Sequence, residues 1–209
     1  MSQSLLETNI VALAGKMISS FKLSHEIYGE KFYFFFLEVQ RLSEVKDMIP
    51  VTISERLLGV KKPEEGAIVK VEGQLRSYNN YGKEGNKLIL TVFAREIVLP
   101  SCDTGEEHYN RIYLDGYLCK KPLYRTTPFG REIADMLLAV NRPYNKSDYI
   151  PCVAWGRNAR YSENMSVGDN VKVWGRIQSR EYQKKCDSGE VLSKIAYEVS
   201  IAKMEIFKE

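Results

Sequence analysis

Few side chains in this sequence are spaced to do covalent chemistry. The only histidines, His25 and His108, have no carboxylate or cysteine at metal-ligand spacing. The cysteines (Cys102, Cys119, Cys152, Cys186) lie far apart and form no CxxC pair. That speaks against a zinc site and for free thiols in a reducing cytosol. No P-loop, GxSxG or HExxH segment is present. Asp115, Asp148 and Asp169 are isolated, and Asp169 after Gly168 reads as turn chemistry. What remains is a set of aromatic and cationic groups, which bind rather than react. In Tyr149-Ile-Pro-Cys-Val-Ala-Trp155 the alternation of a strand puts Tyr149, Val153 and Trp155 on one face. Cys152 and Ala154 fall on the other. No enzyme activity, metal or cofactor is expected.

The charge is unevenly spread. Residues 1–109 hold 13 Lys and Arg against 15 Asp and Glu, whereas residues 110–209 hold 17 against 12. The net charge of +3 therefore divides into an acidic and a basic half, and the basic half suits an anionic partner. At 209 residues, 44% of them hydrophobic and 27% charged, the chain is an ordinary globular one, long enough for two small domains. No apolar run approaches a membrane span, and residues 1–8 lack the pattern of a secretion signal. A cytoplasmic location is the expectation.

Self-comparison shows a repeat. Asn9-Ile-Val-Ala-Leu-Ala-Gly15 is matched by Asn110-Arg-Ile-Tyr-Leu-Asp-Gly116, and 35 residues separate each final glycine from Pro50 or Pro151. Gly66 to Gly73 and Gly168 to Gly175 have equal spacing, and each continues to a serine, Ser77 or Ser179. Each unit closes on Glu-Ile, at residues 96–97 and 205–206. The repeat predicts two domains, 1–103 and 108–209, joined through the turn-rich Pro100-Ser-Cys-Asp-Thr-Gly-Glu-Glu107. Strand-like segments cover 112–114, 135–141, 149–155, 170–174 and 197–202, with a helix candidate at 157–165 between the third and fourth. That is the OB-fold order, so the expected fold is all-β with short helices: two tandem OB-folds, each a five-stranded Greek-key barrel. The first copy has its own helix candidate in Ser54-Glu-Arg-Leu-Leu-Gly-Val60. Gly168 and Gly175 bracket a strand near a barrel corner, and Pro50 and Pro151 imply an edge or a bulge.

The second copy resembles the bacterial single-stranded DNA-binding protein family. The resemblance is carried by Asn110-Arg-Ile-Tyr-Leu-Asp-Gly116, Pro122-Leu-Tyr-Arg-Thr-Thr-Pro-Phe-Gly130 and Leu138-Ala-Val-Asn-Arg142. Asp148-Tyr-Ile-Pro-Cys-Val-Ala-Trp155 and Val173-Trp-Gly-Arg-Ile-Gln-Ser-Arg-Glu-Tyr182 complete it. The family coats single-stranded DNA without sequence preference during replication, recombination and repair. The resemblance places its stacking aromatics at Tyr144, Tyr149, Trp155 and Tyr182, and its basic groove residues at Arg111, Arg125, Arg157, Arg176 and Arg180. One OB domain per chain and a tetramer are usual in the family, so two domains imply a homodimer with four. The family's acidic, Phe-tipped tail has no match in Lys203-Met-Glu-Ile-Phe-Lys-Glu209, so recruitment of proteins through a tail is not expected.

These residue types suit the task. Base stacking on an aromatic ring contributes about 1–3 kcal/mol per base and tolerates any base. Arginine adds counterion release. A single aromatic in a strand is more often a packing residue, and Trp174, between Val173 and Gly175, is read that way. The first copy has Met48, Ser54 and Asn80 where the second has Tyr149, Trp155 and Tyr182. It is also acidic, so it is expected to be a diverged domain serving structure or pairing. Tyr78, Tyr81 and Lys83 in its hairpin remain able to touch a strand. Two rivals stay open. One is an OB protein-interaction module, such as a primosome accessory in replication restart; the other is the nucleic-acid-binding part of an enzyme.

Overall fold

Apolar alternation sets the strands. In β9 (Glu132–Arg142), Ala134, Met136, Leu138 and Val140 are buried and point inward, while Asp135, Leu137, Ala139 and Asn141 face out. A computed structural model of the protein describes residues 8–59, 62–82, 85–99, 109–185 and 191–207. Cys102, Cys186, His108 and the joint at 100–107 lie outside these residues, as do Lys83 and the side chains of Asn80 and Tyr81.

The first half contains β1 (Asn9–Met17), β2 (Lys22–Ile27), β3 (Glu30–Gln40), β4 (Lys46–Ser54), β5 (Ile68–Gly82) and β6 (Gly85–Val98). The second contains β7 (Tyr109–Leu118), β8 (Leu123–Thr126), β9, β10 (Lys146–Trp155), α1 (Arg157–Ser162), β11 (Asn170–Lys185) and β12 (Val191–Phe207). In the second half β7 pairs with β9, β9 with β10, β10 with β12 in parallel, β12 with β11, and β11 with β7. That circuit closes a five-stranded barrel. The first half closes in the same way through β1, β3, β4, β6 and β5. The short strands β2 and β8 extend each barrel's edge hairpin. Two tandem OB barrels are therefore present, as the repeat implies.

Both glycine landmarks have a steric cause. The ladder shifts register at Glu72/Gly73 and again at Trp174/Gly175. A Cβ on Gly73 would lie 2.2 Å from the Phe93 carbonyl oxygen, and one on Gly175 would lie 2.2 Å from that of Ser200. The neighbour is backbone in each case and cannot swing aside, so the barrel bends there only without a side chain. Gly175→Ala is expected to cost about 2–3 kcal/mol, read as a lower urea midpoint at unchanged slope.

Two local expectations change. The helix expected from Ser54 is a single 3-10 turn, Glu55–Leu57, capped by the Ser54 hydroxyl, which accepts the Arg56 N–H. Gly59, at φ +53°, turns the chain out of the helical path, and Pro63 follows. Neither proline creates a bulge: the β3–β4 and β9–β10 ladders run through Pro50 and Pro151 in unbroken register. Each stands one residue before its strand begins to pair with β6 or β12, at a local edge.

The barrels are joined by an antiparallel ladder between β1 and β7, from Asn9↔Leu114 to Ala14↔Tyr109. Val11 pairs with Ile112, and each stands four residues before its copy's glycine, Gly15 or Gly116. Repeat equivalents thus face each other, the signature of a pseudo-two-fold axis.

Candidate nucleic-acid interface

The outward side of the sheet formed by β11, β12, β10, β9 and β8 can be read row by row from the register. Trp155 pairs with Ile133, which pairs with Arg125. In the next row Arg176, Ser200, Val153, Asp135 and Leu123 line up. Further along, Tyr149 pairs with Ala139, and Arg180 with Ala196. Tyr149 is 47% exposed and Trp155 40%, whereas Val153 between them is 4% exposed and forms the floor. Two aromatic rings therefore stand proud of a packed surface on one strand face. The shared parity expected from the sequence holds, and so does burial of Cys152 and Ala154 on the opposite side.

The other two aromatics lie beyond Tyr149, at one end of this face. Tyr144, 93% exposed at φ +64°, stands in the turn between β9 and β10. Tyr182, on β11, has the Arg180 guanidinium 6.0 Å from its ring centre.

The arginines divide into two groups. Arg176 lies in the central row, and its Nε is buried without a hydrogen-bond partner. Arg157 is exposed at the start of α1, two residues beyond Trp155, where Gly156 (φ +52°) turns the chain. It borders a surface cavity of about 550 Å³ with Tyr161 and Phe207. Arg180 is held loosely, its Nε 3.7 Å from Glu198. Arg125 instead forms an ion pair with Asp135 at 3.0 Å, so its charge is largely answered. Arg111 sits on the β1–β7 ladder opposite Ala12, with β11 and β12 between its strand and β10. The structure does not bring these two together with Trp155 and Tyr149 as free cations. Trp174 packs beside Tyr113, with ring centres 5.1 Å apart, under the Lys203 ammonium.

Among the described residues, no group of three or more His, Cys, Asp or Glu side chains could hold a metal ion. Residues 109–207 match the Single-strand binding protein family. "Single-stranded DNA-binding protein 1" of Staphylococcus aureus is 42% identical over 83 residues, covering 36% of this chain and 50% of that protein. "Single-stranded DNA-binding protein 3" of Clostridium acetobutylicum is 38% identical over 96 residues, covering 43% of this chain and 67% of that protein. The chain belongs to the single-strand binding protein family. The chain spans about half the length of several curated relatives it matches. The crystal structure of the wild-type single-stranded DNA binding protein from Thermus aquaticus superposes with a TM-score of 0.76. That match covers 96% of this chain and 93% of the Thermus chain at 22% identity, a likeness of fold.

One feature of the chain escaped the sequence reading because it crosses the barrels. Asp148, fully buried, accepts the Ser77 N–H (2.7 Å), Arg142 Nη1 (3.0 Å) and Arg76 Nη1 (3.1 Å). Ser77 Oγ in turn accepts the Tyr149 N–H at 2.7 Å. The pseudo-symmetric counterpart is Asp47, which accepts the Ser179 N–H (2.7 Å) and is paired with Arg41 (2.7 Å). The N–H of Met48 donates to Ser179 Oγ. Each barrel thus caps a strand of the other, and the first barrel's β5 anchors the backbone of Tyr149. Burial, and then the neighbouring Arg142, push the Arg76 guanidinium below its ordinary pKa, while Asp148 pulls it back up. The signal was the repeated serine pair Ser77 and Ser179, whose partners lie about 70 and 130 residues away.

Proposed function

We propose that this protein binds single-stranded DNA without sequence preference and protects it during replication, recombination and repair in a bacterial cell, on the nucleoid in the cytoplasm. The observation that carries the reading is the pair Tyr149 and Trp155, exposed on one face of β10, with the unpartnered Arg176 Nε in the row between them. Bases stack flat on the rings, and their phosphates take the cations. Tyr144 and Tyr182 extend the platform beyond Tyr149, one on either flank of β10, and Arg157 and Arg180 flank it. Arg125 and Arg111 act at longer range, one neutralised by Asp135 and the other on the joining ladder. Sequence tolerance follows because every base has a π-face and no side-chain pattern here reads base edges.

Two copies of the chain assemble into a homodimer with four barrels. The support is an exposed apolar strip on the joining sheet, where Ile10 is 47% exposed beside Tyr113 and Trp174.

The test is an oligo-dT titration at several salt concentrations. Three groove arginines, Arg157, Arg176 and the loosely paired Arg180, predict that log K falls linearly with log salt with a slope of about −2. Duplex DNA is expected to bind far more weakly, because its bases offer no free faces. Equal affinity for duplex and single strand would refute stacking as the basis of binding.

A further inference from the structure

The edge of β10 beside Tyr149 is not covered by its own barrel. β10 pairs with β9 along its whole length, but with β12 only at Cys152 and Val153. Short of that contact, the Tyr149 N–H is donated to the first barrel, to Ser77 Oγ at 2.7 Å. Ser77 is nearly buried on β5, and its own N–H donates to Asp148 Oδ1 at 2.7 Å. One bond therefore runs in each direction between Ser77 and the consecutive residues 148 and 149. Arg76 and Arg142 fix the Asp148 carboxylate in turn. The Tyr149 ring is close to half exposed and, among the described residues, has no hydrogen bond or ring contact of its own. Its place over the DNA face follows its backbone. The same brace recurs in the other direction, where Ser179 Oγ accepts the Met48 N–H at 3.2 Å, but there it holds a thioether and not a ring.

We infer that Ser77 is a positioning residue for single-strand binding: a hydroxyl of the first barrel that sets the affinity of the second by holding Tyr149 in place, an inference that rests on the single-strand reading of the second barrel. A base gains most from a ring whose position is fixed before it arrives, because ordering a mobile ring on binding costs affinity. A strand edge with an unclaimed N–H opens to water and frays, and the ring it carries moves with it. Ser77 claims that N–H. Its side chain is turned inward, at 8% exposed, so it acts on a bound strand only through Tyr149. Alanine at 77 keeps the backbone N–H that serves Asp148 and removes only the acceptor of Tyr149. The brace can therefore be cut without dismantling the buried ion cluster beside it.

The experiment is a double-mutant cycle of S77A and Y149A in the full chain, read as affinity for oligo-dT. S77A alone should weaken binding about three- to tenfold, the worth of one hydrogen bond, and the Tyr149 amide should exchange with deuterium faster than in the wild type. In the Y149A background the same change should alter affinity less than about twofold, because the ring it positions is gone. S179A is the matched control: it frees the Met48 N–H, should lower the urea midpoint as S77A does, and should combine additively with Y149A. An equal affinity loss from S77A in both backgrounds would mean that Ser77 serves folding alone. Unchanged affinity in S77A would mean that water replaces the hydroxyl. Either result overturns the inference while leaving the DNA face intact. A Y149A variant that binds oligo-dT like the wild type would instead refute the stacking role of Tyr149, and the inference with it.

Discussion

Asp148→Ala is expected to cost about 3–5 kcal/mol of folding free energy, the usual penalty for breaking a buried ion pair from one side. The carboxylate is inaccessible to solvent and answers two guanidiniums and one backbone N–H. Removing it strands Arg76 and Arg142 beside each other with no anion between them. The buried Ser77 N–H also loses its acceptor. Asp47→Ala is the internal comparison. It frees one guanidinium, Arg41, so its cost should be smaller although the geometry is symmetric. Urea denaturation of both variants checks the order. Equal and small losses would mean that water replaces the carboxylates and that the barrels are held by the β1–β7 ladder alone.

Replacing Tyr149 and Trp155 together with alanine should remove about 2–6 kcal/mol of oligo-dT binding, at about 1–3 kcal/mol for each stacked base. That corresponds to about 30-fold at the least and more than a thousandfold at the upper end. Stability should change little, because both side chains are close to half exposed and the floor residue Val153 is retained. Arg180→Ala should do much less, since Glu198 already offsets part of that charge. A large affinity loss at constant urea midpoint separates a contact role from a folding role.

The architecture was readable because its constraints are local. Glycine and proline positions repeat at fixed spacing, and alternation gives the face of each side chain on β10. The missed features are relations between strands. Asp135, which neutralises Arg125, is ten residues away in sequence but sits on the adjoining strand. The reciprocal Asp47 and Asp148 contacts appear only when two barrels are placed side by side.

The protein has two tryptophans in different settings, which allows each to report alone. Trp155 lies open on the proposed DNA face, and Trp174 is stacked near Tyr113 under Lys203. Fluorescence of the W174F and W155F variants, titrated with oligo-dT at low salt, follows each indole separately. The prediction is strong quenching when Trp155 is the sole reporter and almost none when Trp174 is. Quenching of Trp174 with an unresponsive Trp155 would place the strand on the joining sheet and contradict the site described above.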